Sequence, residues 1–316
     1  PPPPKNTVMR EIGKTMEQAG ADGEYLWCSG DPDSLDGVAI PAIRCAVCDG
    51  TSPHIVEPKY PAAVDRYVDL GRFYDLPAAK AQAAEVKRHT HDYQDAYARA
   101  YRCLKAARQV ELDTAAEIRQ CFDSQRAARR ISGIMARELR GRGTGTGRIT
   151  RRFLGSVTHK GPVWRFDSAE TLCSKIYELE DSYEQAGGLL SALCAEAVRR
   201  SYDVIACPSP EEPERLEHLL IPELGVAFVT SKPGREYPGK PYRRVRLNAL
   251  SHPESKARLR FRSRMAGVLR EEGVTALQDA KAAHDRLESV YNPYVDFEGV
   301  RAQAAIEAGR LLSWLN

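Results

Sequence analysis

The stretch DPDSLDGVAIPAIRCAVCD, residues 31–49, returns in altered form as EPERLEHLLIPELGVAFVT, residues 212–230, at a constant offset of 181 positions. At that offset Pro32 falls on Pro213, Leu35 on Leu216, Ile40 on Ile221, Pro41 on Pro222 and Ala46 on Ala227. Near matches keep the same offset: Asp36 with Glu217, Ile43 with Leu224, Val47 with Phe228, and further upstream Met9 with Leu190 and Ile12 with Leu193. These pairs mix helical and strand spacings, which one accidental apolar run would not give. The chain therefore reads as one α/β unit built twice in tandem. Each copy is expected to contain a helix, a strand, an acidic loop centred on a proline, and a second apolar strand.

Working outward, Val8, Met9, Ile12 and Met16 lie at helical spacing in a segment that closes at Gly20. Glu24 to Cys28 reads as a short strand, Asp31 to Gly37 as a polar turn, and Ile43 to Cys48 as an apolar strand ending at Asp49-Gly50. From Leu76 to Phe122 the pattern is helical, with Tyr93, Tyr97, Tyr101 and Leu104 as a packing stripe. The run RGRGTGTGRITRR, residues 140–152, has four glycines and reads as a flexible connector, its GTGTG lacking the Lys-Ser/Thr of a phosphate loop. Beyond it come a hairpin around His159-Lys160-Gly161-Pro162, a strand at 175–179, a helix at 189–200, and strands at 203–207 and 224–230. Leu277, Ala280, Leu287 and Tyr291 mark a helical tail. The expected domains are residues 1–140, a connector at 141–152, and residues 153–316, with helical extensions near 76–138 and 253–316. The chain opens at Pro1 and runs straight into its first helix, whereas the second copy has a strand before its helix, so the first copy is expected to be truncated.

At 316 residues the chain has material for two cores of ordinary size. With 46 basic and 43 acidic residues it carries a formal charge of +3, and nothing global calls for nucleic acid or an anionic membrane. No segment approaches the roughly 18 consecutive apolar residues of a membrane span, and no secretion signal opens the chain, so the expectation is a soluble, cytoplasmic protein. The eight cysteines sit mostly inside apolar or helical segments and read as reduced core thiols; Cys45 and Cys48 lie in one strand, three residues apart, on opposite faces.

Lys5-Asn6-Thr7 at a helix start, with Asp49 closing a later apolar strand, is the layout of a P-loop nucleotide site. There a lysine reaches the phosphates, a hydroxyl holds Mg²⁺, and a strand-end acid stands near the metal. At this point the chain resembles tandem P-loop proteins of bacteria and archaea that are labelled ATPase-like. The likeness rests on Asp31-Pro-Asp-Ser-Leu-Asp-Gly37, Ile40-Pro41, Asp49-Gly-Thr-Ser-Pro-His54, Pro58-Lys-Tyr-Pro61 and Ala63-Val64-Asp65 in the first half. In the second half it rests on Gly161-Pro162, Ile221-Pro-Glu-Leu-Gly225 and Asp296-Phe297. The resemblance implies two tandem P-loop NTPase-like units with mainly parallel sheets flanked by helices. It also implies ATP and Mg²⁺ as ligands, with Lys5, Asn6, Thr7 and Asp49 binding nucleotide and Thr7 and Asp49 serving the metal. Asp33 and Asp36 would follow the strand beside the phosphate loop, where an acid orients attacking water or an acceptor hydroxyl.

The departures are specific. Family members look like G-x-P-G-T-G-K-S-T at the first loop, and here Pro1-Pro-Pro-Pro-Lys5-Asn6-Thr7 stands instead; prolines have no N–H to offer a phosphate. In the second copy Glu180 to Gly188 replaces the motif, Ala186 takes the lysine position, and Thr230 falls on Asp49, so that half reads as a structural partner. The rival readings are a catalytically inactive scaffold and a small-molecule kinase. Asp31, Asp33 and Asp36 lack the spacing of a calcium loop and suit an Asx-turn. His54 could sense a terminal phosphate or simply lie on the surface. His89 and His91 cannot share a helix face. Arg258, Arg260, Arg262 and Arg264 read as a solvated helix.

Overall fold

A computed structural model describes residues 4–51, 55–141, 143 and 145–315. In chain order the elements are α1 Pro4–Gln18, β1 Glu24–Trp27, β2 Leu35–Ile40, β3 Cys45–Cys48, α2 Leu76–Ala81, α3 Ala83–Gln120, α4 Ser124–Glu138, β4 Ile149–Arg151, β5 Gly155–Thr158, β6 Gly161–Trp164, α5 Phe166–Leu172, β7 Lys175–Glu180, α6 Ala186–Arg199, β8 Val204–Ser209, β9 Glu212–Ile221, β10 Val226–Ser231, β11 Arg243–Arg246, α7 Lys256–Tyr291 and α8 Phe297–Leu315. The chain forms two compact units, one made of the described residues up to Ala100 and from Thr275 onward, the other of Tyr101–Val274. Both divisions fall inside the long helices α3 and α7, not at the connector expected at 141–152.

In the first unit α1 buries Val8, Met9, Ile12 and Met16, the side chains whose spacing marked the helix. They pack with Leu35, Val38 and Ile40 of β2 and with Val300, Ala304, Ala308 and Leu311 of α8. The sheet has the order β1-β2-β3 and is antiparallel throughout, which corrects the expectation of a mainly parallel sheet in this unit. The cause is the length of the connections, since a parallel pair needs a crossover of a dozen or more residues and these strands are joined by short turns. The strand β2 is an addition to the sequence reading, which ran the acidic turn on to Gly37.

The second unit holds a six-stranded mixed sheet in the order β11-β7-β10-β9-β8-β4. The pairs β11/β7, β7/β10 and β4/β8 are parallel, and β10/β9 and β9/β8 antiparallel. Alternation along the strands feeds two cores. Tyr177, Leu179, Leu219 and Phe228 meet Leu190 and Leu193 of α6 and Ile131 and Ile134 of α4. On the other side Ile176, Leu220, Ala227 and Val229 meet Phe166 and Ala169 of α5. The expected connector is part of this unit. Ile149, Thr150 and Arg151 pair with β8, and Gly147 donates its N–H to Val198 at 2.9 Å. A Cβ on Gly147 would lie 2.0 Å from the Tyr202 carbonyl oxygen, so glycine serves close backbone approach here rather than flexibility.

The 181-residue offset has a structural counterpart. Helix, strand, strand, 3₁₀ corner and strand follow one another as α1, β1, β2, Pro41–Ile43, β3 and again as α6, β8, β9, Pro222–Leu224, β10. Each corner has proline in its first turn and ends on a left-handed residue whose N–H returns to that proline's carbonyl: Arg44 at φ 52° and Gly225 at φ 60°. Each unit is also completed by a helix from the other half of the sequence. In the first, Tyr74 bridges Val295 just before Asp296, whose carboxylate caps α8. In the second, Ser251 bridges Phe122 just before Asp123, which caps α4. Of the expected tyrosine stripe, Tyr93 and Tyr97 meet edge to face at 6.2 Å, but Tyr101 is 62% exposed and lies off the packed side. Among the described residues no helix is long and apolar enough to cross a membrane.

The corners predict a contrast. Gly225→Ala places a Cβ in left-handed backbone 3.2 Å from Ser174 Oγ and should cost about 1–2 kcal/mol. Arg44→Ala, at a site that already tolerates a side chain, should stay within about 0.5 kcal/mol. Urea denaturation of the two variants checks the difference.

Candidate functional site

Pro4 begins α1 without an N–H of its own, a residue suited to the first helical position, and the amino end of a helix carries a partial positive charge. Lys5 projects from that turn. Its ammonium donates to both carboxylate oxygens of Asp49, at 2.9 and 2.8 Å, and to Thr51 Oγ1 at 2.5 Å. Asp49 Oδ1 also accepts from the N–H and hydroxyl of Thr51, each at 2.8 Å. The Asp49 side chain is 3% exposed and that of Lys5 17%, so the pair is largely withdrawn from water. Burial alone would raise the Asp49 carboxyl, but the bonds from Lys5 and Thr51 outweigh it and hold the group below its ordinary value. Burial pulls the Lys5 ammonium below its ordinary value, against the attraction of Asp49 and Asp36.

The other expected residues divide. Asp36 is half-buried on β2; its carbonyl accepts the Asp49 N–H at 2.8 Å, and its charge reaches Lys5 and adds to the burial that raises the Cys28 thiol. Asp33 is exposed in a turn organised by Asp31, whose carboxylate takes the Asp33 N–H and the Ser34 hydroxyl, each at 3.1 Å. That is the Asx-turn the sequence suggested. Asn6 turns to the strand instead of the Lys5 group, accepting from Leu35 N at 3.2 Å and Arg10 Nε at 3.1 Å, so it ties α1 to β2. Thr7 is half-buried on the same first turn of α1. Pro1 to Pro3 and His54 lie outside the described residues. Sequence reasoning missed Thr51 as a member of the group, although a threonine two places after an aspartate is the signal of such a turn.

The corresponding place in the second unit is the loop 181–185 between β7 and α6. Asp181, 3% exposed, accepts the N–H groups of Gln185 and Ala186 at 2.7 and 2.8 Å and so caps α6 with its own carboxylate. Burial pushes Asp181 up to about 6. Thr230 donates its backbone N–H to His218 Nδ1 at 3.1 Å, and buried His218 is driven down to about 4, first by burial. Elsewhere, His284, Asp285 and Glu288 on α7 bring ligand atoms within 4.8 Å of one another, but the Lys281 ammonium stands 2.5 Å from Asp285 and supplies the local positive charge. His89 is buried between Glu85 and Asp92 while His91 is exposed, and all eight cysteines are free thiols.

No protein-family model, curated protein or solved structure matches the chain.

Two pH effects follow. A carboxyl held low in the folded state stabilises it above the ordinary value near 4 and loses that contribution as pH falls through the folded value. Asp49→Ala should therefore cost about 2 kcal/mol at pH 7, with the difference from the parent shrinking towards pH 3; Asp33→Asn should change little at either pH. For His218 the folded protein favours the neutral ring while the unfolded chain takes a proton below about 6.5, so stability falls between pH 6.5 and 4. His218→Gln should remove roughly 3 kcal/mol of that fall, read by urea denaturation across the range.

Proposed function

We propose that the chain is an ATP-binding protein of the P-loop type, with Mg²⁺ as companion ion, whose first unit carries the phosphate-binding residues and whose second unit is a degenerate structural partner. The observation that carries this reading is the Lys5 ammonium held at the start of α1 against the carboxylate of Asp49 at the end of β3. The donor set suits the ligand in kind: a primary ammonium and a helix amino end for phosphate oxygens, and an acid with a neighbouring hydroxyl for a hard divalent cation and its waters. Lys5 would hold the phosphates, Asp49 and Thr7 would serve the metal, and Asp36, within electrostatic reach of Lys5, is better located than exposed Asp33 to act on a water or acceptor hydroxyl. Bound Mg·ATP would supply a transferable phosphoryl group. In its absence Asp49 neutralises Lys5 and keeps that ammonium at the helix end, so binding exchanges one anionic partner for another.

A second reading, an inactive scaffold that keeps the fold for partner contacts, is favoured by Pro4, which offers no N–H, and by the engagement of Lys5 with both Asp49 and Thr51. Titration of the chain with a fluorescent ATP analogue in Mg²⁺ separates the two. Saturable binding weakened at least about tenfold by Lys5→Ala supports a first-unit site, since that loss corresponds to about 1.4 kcal/mol. No saturable binding, or binding indifferent to Lys5→Ala, contradicts it.

A further inference from the structure

The second unit fills the corresponding place from within. Glu184 sits in the β7–α6 loop at φ 59°, left-handed backbone that a non-glycine residue adopts only when its surroundings hold it there. Its side chain is 6% exposed and gathers three cations. Arg108 Nη1 from α3 lies at 2.5 Å, Lys232 Nζ from just beyond β10 at 2.8 Å, and Arg215 Nη2 from β9 at 3.4 Å. The three come from separate elements and converge on one carboxylate beside the amino end of α6. Gly187, in the first turn of that helix, leaves room for the arginine: a Cβ there would stand 3.0 Å from Arg215 Cγ.

The arrangement has more donors than the carboxylate uses. Among the described residues Arg108 Nε is buried with no hydrogen-bond partner, on a side chain 7% exposed, and Arg215 Nη2 makes ionic contacts alone, at 3.4 Å to Glu184 and 3.7 Å to Glu217. Glu212 also takes part, pairing with Arg108 and accepting from Arg215 Nε at 3.2 Å, but it is 36% exposed and lies towards solvent. Two guanidinium groups and an ammonium around a buried negative centre are the donor set of a tetrahedral oxyanion, for which planar carboxylate is an incomplete substitute.

We propose that Glu184 is a built-in anion: its carboxylate stands where Arg108, Arg215 and Lys232 would hold a free tetrahedral oxyanion, so the chain closes this site itself, and removing the carboxylate opens it to inorganic phosphate or sulfate. This goes beyond the nucleotide reading of the first unit and does not depend on it. It also gives the acidic loop a physical role. Asp181 caps the helix and Glu184 occupies the cationic centre. Glu184→Ala leaves buried Arg108 and partly buried Arg215 and Lys232 facing Glu111, Glu212 and Glu217 with one negative charge fewer, which a solvent anion then supplies.

The test is thermal unfolding of the full chain in sodium phosphate, sodium sulfate and sodium chloride at matched ionic strength. The parent should respond alike to all three salts. Glu184→Ala should melt lower and regain roughly 5 °C in millimolar phosphate or sulfate but not in chloride. Adding Arg215→Ala to that variant should abolish the recovery. Glu184→Gly also vacates the place, suits the left-handed backbone at φ 59°, and reports if the alanine variant does not fold. Folded variants no more sensitive to phosphate than to chloride, a recovery that survives Arg215→Ala, or failure of both variants to fold even with phosphate present would each overturn the proposal.

Discussion

A charge buried at the carboxyl end of a strand must be met by an opposite one, because desolvation costs more than any single neutral hydrogen bond returns. That constraint acts twice in this chain, each time beside the amino end of the repeated helix, α1 and α6, with opposite arrangements. In the first unit the helix offers a cation, Lys5, and the strand end an acid, Asp49. In the second the loop before the helix offers acids, Asp181 and Glu184, and the surrounding strands and α3 supply the cations. The first is a small cluster, partly open to water; the second is a network that extends through Glu211, Arg235 and Arg270, the last also bonded to Glu111. In the first a single lysine holds the acid. In the second three cations share one carboxylate.

The fold presents these sites by a common device. A proline-led 3₁₀ corner sets the turn between β2 and β3 in the first unit and between β9 and β10 in the second, and a left-handed residue closes it, arginine in the first and glycine in the second. The corner fixes where β3 and β10 start. Completion of each unit by a helix from the other half, α8 in the first and α4 in the second, makes the hydrophobic core of each depend on residues distant in sequence.

Much of this was legible in the amino-acid order, and for definite reasons. The stripe Val8, Met9, Ile12, Met16 follows the helical period and faces one core. Ile40-Pro41 and Ile221-Pro222 recur because the corner needs proline in its first turn. The sequence placed Lys5 and Asp49 in one group, and the fold brings them to hydrogen-bonding distance. What stayed hidden has physical causes too. The strand β2 interleaves Asp36 and Gly37 with its apolar residues, which reads as turn until its partners are known. Four glycines at 141–147 suggest a loose connector, whereas Gly147 is there for close contact with Tyr202. Arg108 is one arginine among many in a 38-residue helix, and nothing local announces that it reaches Glu184, 76 positions away.

The most direct measure of the central claim is a double-mutant cycle on Lys5→Ala and Asp49→Ala, read by urea denaturation at pH 7. If the buried pair is the clamp between α1 and β3, the two substitutions are strongly coupled, with an interaction of about 1.5 kcal/mol or more. Additivity within about 0.3 kcal/mol would mean that the two side chains do not depend on each other, and the account of the first unit's site would fail.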